Sequence, residues 1–119
     1  MNSAAITIAQ EQQVQWQEIC KLSDLSPDTG VCAWHKGEQV ALFRLGHSEQ
    51  VFAISNYDPV GGANVLSRGI VGSIGERLVV ASPLYKQHYD LQTGECLEDD
   101  SVTLKVWPVR IEQEDILLG

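Results

Sequence analysis

Apolar residues along this chain recur mainly at every second position or in short runs bounded by turn residues, the pattern of short β-strands. Val14-Gln-Trp-Gln-Glu-Ile19 alternates in this way and predicts a strand with Trp16 pointing inward. Lys21 to Gly30 is rich in Ser, Asp and Pro, which predicts a loop with room for one helical turn. Val31 to His35 and Gln39 to Arg44 flank Lys36-Gly-Glu, a hairpin signal, and Gln50 to Ser55 is the next strand. From Asn56 to about Ser73 the pattern breaks around Pro59, Gly61, Gly62, Gly69 and Gly72, predicting a long loop.

Arg77 to Ala81 reads as a buried strand, and Gln87 to Leu91 with Glu95-Cys-Leu as a hairpin about Gln92-Thr-Gly94. Val102 to Val106 alternates strictly, while Val109 to Glu112 and Ile116 to Leu118 supply the last strands. Many short strands with Gly and Pro turns and no amphipathic helix predict an all-β sandwich or small barrel. It is expected to be one domain over residues 14–119, preceded by a flexible, glutamine-rich tail over 1–13.

Composition narrows the partners. The 119 residues carry 8 Lys plus Arg against 16 Asp plus Glu, and a net charge of -8 repels nucleic acid and anionic membrane alike. No apolar run approaches the ~20 residues of a spanning helix. No Lys or Arg precedes Lys21 to make a signal-peptide n-region, so a cytoplasmic location is expected. Cys20, Cys32 and Cys96 are odd in number and widely spaced, which fits a reducing compartment and thiols buried as small apolar groups.

Candidate chemistry is thin. Cys32-Ala-Trp-His35 has half of a zinc spacing, but residues three apart on a strand face opposite sides. Ser82 precedes a proline and lacks a nucleophile elbow. Gly61-Gly-Ala63 is not followed by a phosphate-binding fingerprint. The acidic run Glu95, Glu98, Asp99 and Asp100 lacks the spacing of a calcium loop and is a docking candidate at most.

Several strings nonetheless follow the order of a Rieske domain. Trp16 with Ile19 resembles its opening W-x-x-I/V strand, Phe52-Ala-Ile-Ser-Asn56 the strand entering its first ligand loop, and Leu66-Ser-Arg-Gly69 the L-S-x-G exit. Tyr89-Asp-Leu-Gln-Thr-Gly94 resembles the F-D-x-x-T-G hairpin after its second loop. Within that superfamily Trp16-Gln-Glu-Ile-Cys-Lys21, Thr29-Gly-Val-Cys-Ala33, Glu38 to Arg44, Val65 to Gly69 and Ala81-Ser-Pro-Leu84 look like the small subunit of bacterial assimilatory-type NAD(P)H-dependent nitrite reductase.

The resemblance implies a Rieske-like β-sandwich without its iron–sulfur cluster. Where Rieske loops read C-P-H and C-P-x-H, this chain has Asp58, Val60, Ser82 and Tyr85. Valine offers no lone pair, and neutral hydroxyls are poor substitutes for thiolate and imidazole on soft iron. The family implies a non-catalytic subunit without cofactor or metal, bound to a large subunit that holds FAD, siroheme and a 4Fe-4S centre and reduces nitrite to ammonium. Pro59, Val60, Pro83, Leu84 and Tyr85 at the loop tips, with Glu98 and Asp99, are the expected contact residues. The alternative is a Rieske-type ferredoxin carrying electrons to an oxygenase.

Overall fold

The computed structural model describes residues 15–119, so the expected tail over 1–13 and Val14 lie outside the described residues. Twelve strands follow in chain order: β1 Gln17–Lys21, β2 Gly30–His35, β3 Glu38–Arg44, β4 Val51–Ser55, β5 Tyr57–Asp58, β6 Ala63–Asn64, β7 Ile70–Ile74, β8 Arg77–Ala81, β9 His88–Asp90, β10 Val106–Trp107, β11 Val109–Glu112 and β12 Asp115–Leu118. The only helical elements among these residues are single turns at Leu22–Asp24 and Leu66–Arg68. The all-β expectation holds.

The strands make a four-stranded sheet in the order β10-β4-β3-β2, two three-stranded sheets, β1-β12-β11 and β7-β8-β9, and the β5-β6 ribbon, with every strand pair antiparallel. The central strands of the four-stranded sheet, β3 and β4, are buried on both faces. Side chains alternate across a strand. Val40 and Leu42 of β3 therefore join Ile116, Leu118 and Trp107 in one core, while Ala41 and Phe43 join Leu66, Val80, Tyr89 and Leu91 in another. This is why β3 reads as a continuous apolar run rather than an alternating one. Each large apolar side chain so buried contributes about 1.5–3 kcal/mol.

Turn chemistry accounts for the connections. Between β2 and β3, Lys36 and Gly37 both take positive φ, 50° and 81°, the backbone of a type I′ hairpin turn. In the Tyr89–Gly94 stretch, Asp90 Oδ1 accepts from the Gln92 and Thr93 amides at 2.8 and 3.0 Å, and Oδ2 accepts from Arg77 Nε at 2.8 Å. Gly94 closes the turn at φ +82°, where a Cβ would stand 2.0 Å from the Leu104 carbonyl oxygen. Gly94→Ala is therefore expected to cost about 2 kcal/mol or more, read by urea unfolding. Gly72→Ala, whose Cβ meets nothing within 4 Å, should cost less than half as much.

Four expectations are corrected. The long loop over 56–73 contains β5, β6, a helical turn and all of β7. Its glycines looked like breakers, yet Gly69 is needed because a Cβ would press within 2.5 Å of the Ala81 carbonyl, and Gly72 sits in open space. Val102–Val106 keeps alternating burial but is not one strand. There the chain passes from one sheet to the next, Leu104 N–H donating to Gly94 and Lys105 C=O accepting from Ser55. Trp16 precedes β1 and is only half-buried, under the Arg110 guanidinium at 5.8 Å from the ring centre. Cys96 is buried, but Cys20 is half-buried and Cys32 exposed, because β2 is an edge strand.

Candidate functional site: the two degenerate ligand loops

The loop after β4 and the loop after β8 meet at one end of the molecule. Asn56 fixes the first: its Nδ2 donates to Gln39 Oε1 at 3.0 Å, and its Oδ1 accepts from the Ser67 amide at 2.7 Å. Buried Leu66 anchors the exit of the same loop. The second loop closes on itself, with Ser82 N–H on the Gln87 carbonyl, Lys86 N–H on the Ser82 carbonyl, and Lys86 at φ +61°. For a non-glycine residue that backbone is strained and persists only where its surroundings hold it.

Asp58 and Ser82 come together between the loops, both fully buried. Ser82 Oγ donates to Asp58 Oδ2 at 2.5 Å, and Tyr89 OH, reaching up from β9, donates to Oδ1 at 2.8 Å. The Val60 amide donates to Oδ1 at 3.0 Å, and the Gly61 amide also faces the carboxylate. Burial pushes the Asp58 carboxyl up, but these four donors outweigh it and hold it below the usual carboxylate range. Burial and the Asp58 carboxylate together push the Tyr89 phenol well up, so it remains a donor. The result is an ionised carboxylate deprived of water and satisfied wholly by hydrogen bonds.

Val60 and Tyr85 do not converge on this point. They are 41% and 67% exposed, and with Leu84 at 45% they form an apolar rim around the buried carboxylate. Leu84 lies over Gly61, where a Cβ would come within 2.3 Å of Leu84 Cδ1.

A two-iron cluster does not fit this donor set. Two donors sharing a metal ion stand about 3 Å or more apart, because each bond to the ion is about 2 Å long. Asp58 and Ser82 instead meet through a direct 2.5 Å hydrogen bond, and the other two positions offer an isopropyl group and an outward phenol. Nor does Ser82 serve as a nucleophile, since it is buried and its proton is committed to a carboxylate that accepts three hydrogen bonds.

The profile of the Rieske-like [2Fe-2S] domain matches residues 15–119. The nitrite reductase (NADH) small subunit of Salmonella typhimurium is 53% identical over 98 residues, covering 82% of this chain and 91% of that one. The chain belongs to the family of nitrite reductase small subunits, within the Rieske-like domains. The NMR structure of the Escherichia coli member superposes with a TM-score of 0.81 at 48% identity, covering 87% of this chain and 94% of that one. The ferredoxin of carbazole 1,9a-dioxygenase from Nocardioides aromaticivorans, at 24% identity over 89% of this chain and 98% of its own, shares the fold with a TM-score of 0.76. A segment amounting to 11% of a Klebsiella oxytoca nitrite reductase [NAD(P)H] large subunit is 39% identical over 87% of this chain. As members of this family, nitrite reductase small subunits are components of an oxidoreductase complex, and the Rieske fold read from the scattered strings is the one observed.

Of the positions singled out in the sequence, Pro59, Val60, Pro83, Leu84 and Tyr85 all lie on the two loops. Glu98 is tied down: its Oε1 accepts from the His88 amide and its Oε2 meets His88 Nδ1, each at 2.7 Å. Asp99 caps its own turn, accepting from the Ser101 amide and hydroxyl at 3.0 and 2.6 Å. Cys32 and His35 do face opposite ways, the first exposed and the second buried against the Gly119 carbonyl. The residue missed was Tyr89. Its signal was a hydroxyl where the hairpin pattern has phenylalanine, matching the appearance of Asp58 at a cysteine position.

Proposed function

We propose that this chain is the non-catalytic small subunit of an NAD(P)H-dependent nitrite reductase, acting by contact with the large subunit rather than by carrying electrons. The observation that carries the reading is the direct Asp58–Ser82 hydrogen bond, which holds these two side chains closer together than two ligands of one metal ion stand. The apolar rim of Pro59, Val60, Pro83, Leu84 and Tyr85 then has no cofactor to surround, and an exposed apolar cluster with a rigid base is suited to a protein interface. Glu98 and Asp99 are secondary contacts in this reading, and charge reversal at Glu98 would disturb the His88 tie as well as docking.

The Klebsiella large subunit adds support, because it carries a homologous domain covalently attached to a much longer chain. Such a fusion raises the effective concentration of the domain at its partner and preserves a contact that two separate chains must make by affinity. The flavin, siroheme and 4Fe-4S centres for nitrite reduction to ammonium belong, in this reading, to the large subunit, with both chains in the cytoplasm. No helix among the described residues is long and apolar enough to cross a membrane.

Co-expression tests the proposal. The two subunits are expected to co-elute, and NADH-dependent nitrite reduction to fall when this chain is omitted. Equal activity with and without it, together with separate elution, would defeat the reading. The competing ferredoxin role requires stoichiometric iron and sulfide with visible absorption in the aerobically purified chain.

A further inference from the structure

A second surface adjoins the apolar rim. Ile70, Ala81 and His88 stand in register across β7, β8 and β9 and floor an open groove of about 430 Å³. Arg68, Pro83 and Lys86 wall it. Ile70 is 77% exposed, more than any other large apolar residue of the described chain.

The charges here run against the rest of the molecule. Of its eight Lys and Arg side chains, Lys21, Arg77, Lys105 and Arg110 are held by carboxylates and Arg44 by backbone carbonyls. The remaining three, Lys36, Arg68 and Lys86, make no side-chain hydrogen bond or ion pair among the described residues; Lys36 sits in the β2–β3 turn, whereas Arg68 and Lys86 both lie on this groove in a chain of net charge -8. His88 on the groove floor meets the Glu98 carboxylate at 2.7 Å, and neither Arg68 nor Lys86 pairs with that carboxylate among the described residues. Lys86 is held at the rim by its left-handed backbone.

We infer that this groove receives an acidic segment of the large subunit, with an apolar side chain seated on Ile70 and Ala81 and carboxylates paired to Arg68 and Lys86. The inference rests on the subunit role above and names the partner chemistry for it. Charge complementarity supports the choice, because a chain of net charge -8 approaching an acidic segment needs local cations to hold it in one register.

The test uses purified large subunit and measures affinity at low and moderate salt. Arg68→Glu with Lys86→Glu is expected to weaken binding at least tenfold and to flatten its salt dependence, and Ile70→Asp to weaken it comparably. All three positions are exposed, so melting temperatures should hold. Zero-length carbodiimide coupling of the complex should join Lys86 to an Asp or Glu of the large subunit. Binding and salt slope unchanged in the double variant, with loss confined to substitutions at Val60 and Tyr85, would overturn the groove and leave the subunit role standing. Failure of the wild-type chain to bind would remove both.

Discussion

Asp58→Asn is expected to destabilise the fold by about 3 kcal/mol at neutral pH, although the side chain barely changes size. The carboxylate accepts from Ser82, Tyr89 and Val60 at once, with the Gly61 amide facing it, and an amide has one oxygen to offer and two hydrogens that would face donors. Because the folded-state pKa of Asp58 lies below its unfolded value near 3.8, its stabilisation is complete above that value. It is lost as the pH falls through the folded-state pKa. The variant should therefore show a shallower acid limb in urea unfolding between about pH 5 and 2. Part of the limb remains, because burial raises Asp90 while its hydrogen bonds from Arg77, Thr93 and Gln92 more than offset this.

Ser82→Ala and Tyr89→Phe should each cost about 1.5–3 kcal/mol, as expected for hydrogen bonds to a charged group. A double-mutant cycle should find them coupled through the shared carboxylate. If Asp58→Asn unfolds at the parent's denaturant midpoint with the parent's pH profile, the buried ionised carboxylate is refuted.

Replacing Val60 and Tyr85 together by serine is expected to weaken association with the large subunit by roughly thirtyfold or more, the loss of about 2 kcal/mol typical of an aromatic anchor at an interface centre. Both side chains lie largely outside the core, so the thermal midpoint should change little. Leu84 is a poorer site for this test, since it also covers Gly61 and its loss would loosen the loops. Surface plasmon resonance with immobilised large subunit gives the affinity, and nitrite reduction in the reconstituted mixture gives the consequence. Full affinity in the double variant would remove the loop tips from the interface.

Legibility in the sequence divided along a physical line. Strands β3, β4, β8 and the β2–β3 hairpin could be read because their burial and turn chemistry are local: a period of two, a buried run, a Lys-Gly turn. β7 was hidden by Gly69 and Gly72, one of which is demanded by the backbone of β8, a neighbour seven or more residues away in the chain. Val102–Val106 misled in the opposite sense, since side-chain alternation reports burial but not which backbone completes the hydrogen bonds.

For the site, the residue types at positions 58, 60, 82 and 85 by themselves determined that soft iron has no suitable ligand set, because donor chemistry belongs to the side chain wherever it is placed. Only the tertiary structure decided how the residues at those positions pair with one another. Asp58, Ser82 and Tyr89 are separated by up to 31 positions, and no local pattern records that three strands and two loops bring them within hydrogen-bond reach. The same holds for the groove. Arg68, Ile70, Lys86 and His88 are ordinary residues in sequence; sheet register aligns Ile70 with His88 across Ala81, and the flanking helical turn and loop add Arg68 and Lys86 with their charges unspent.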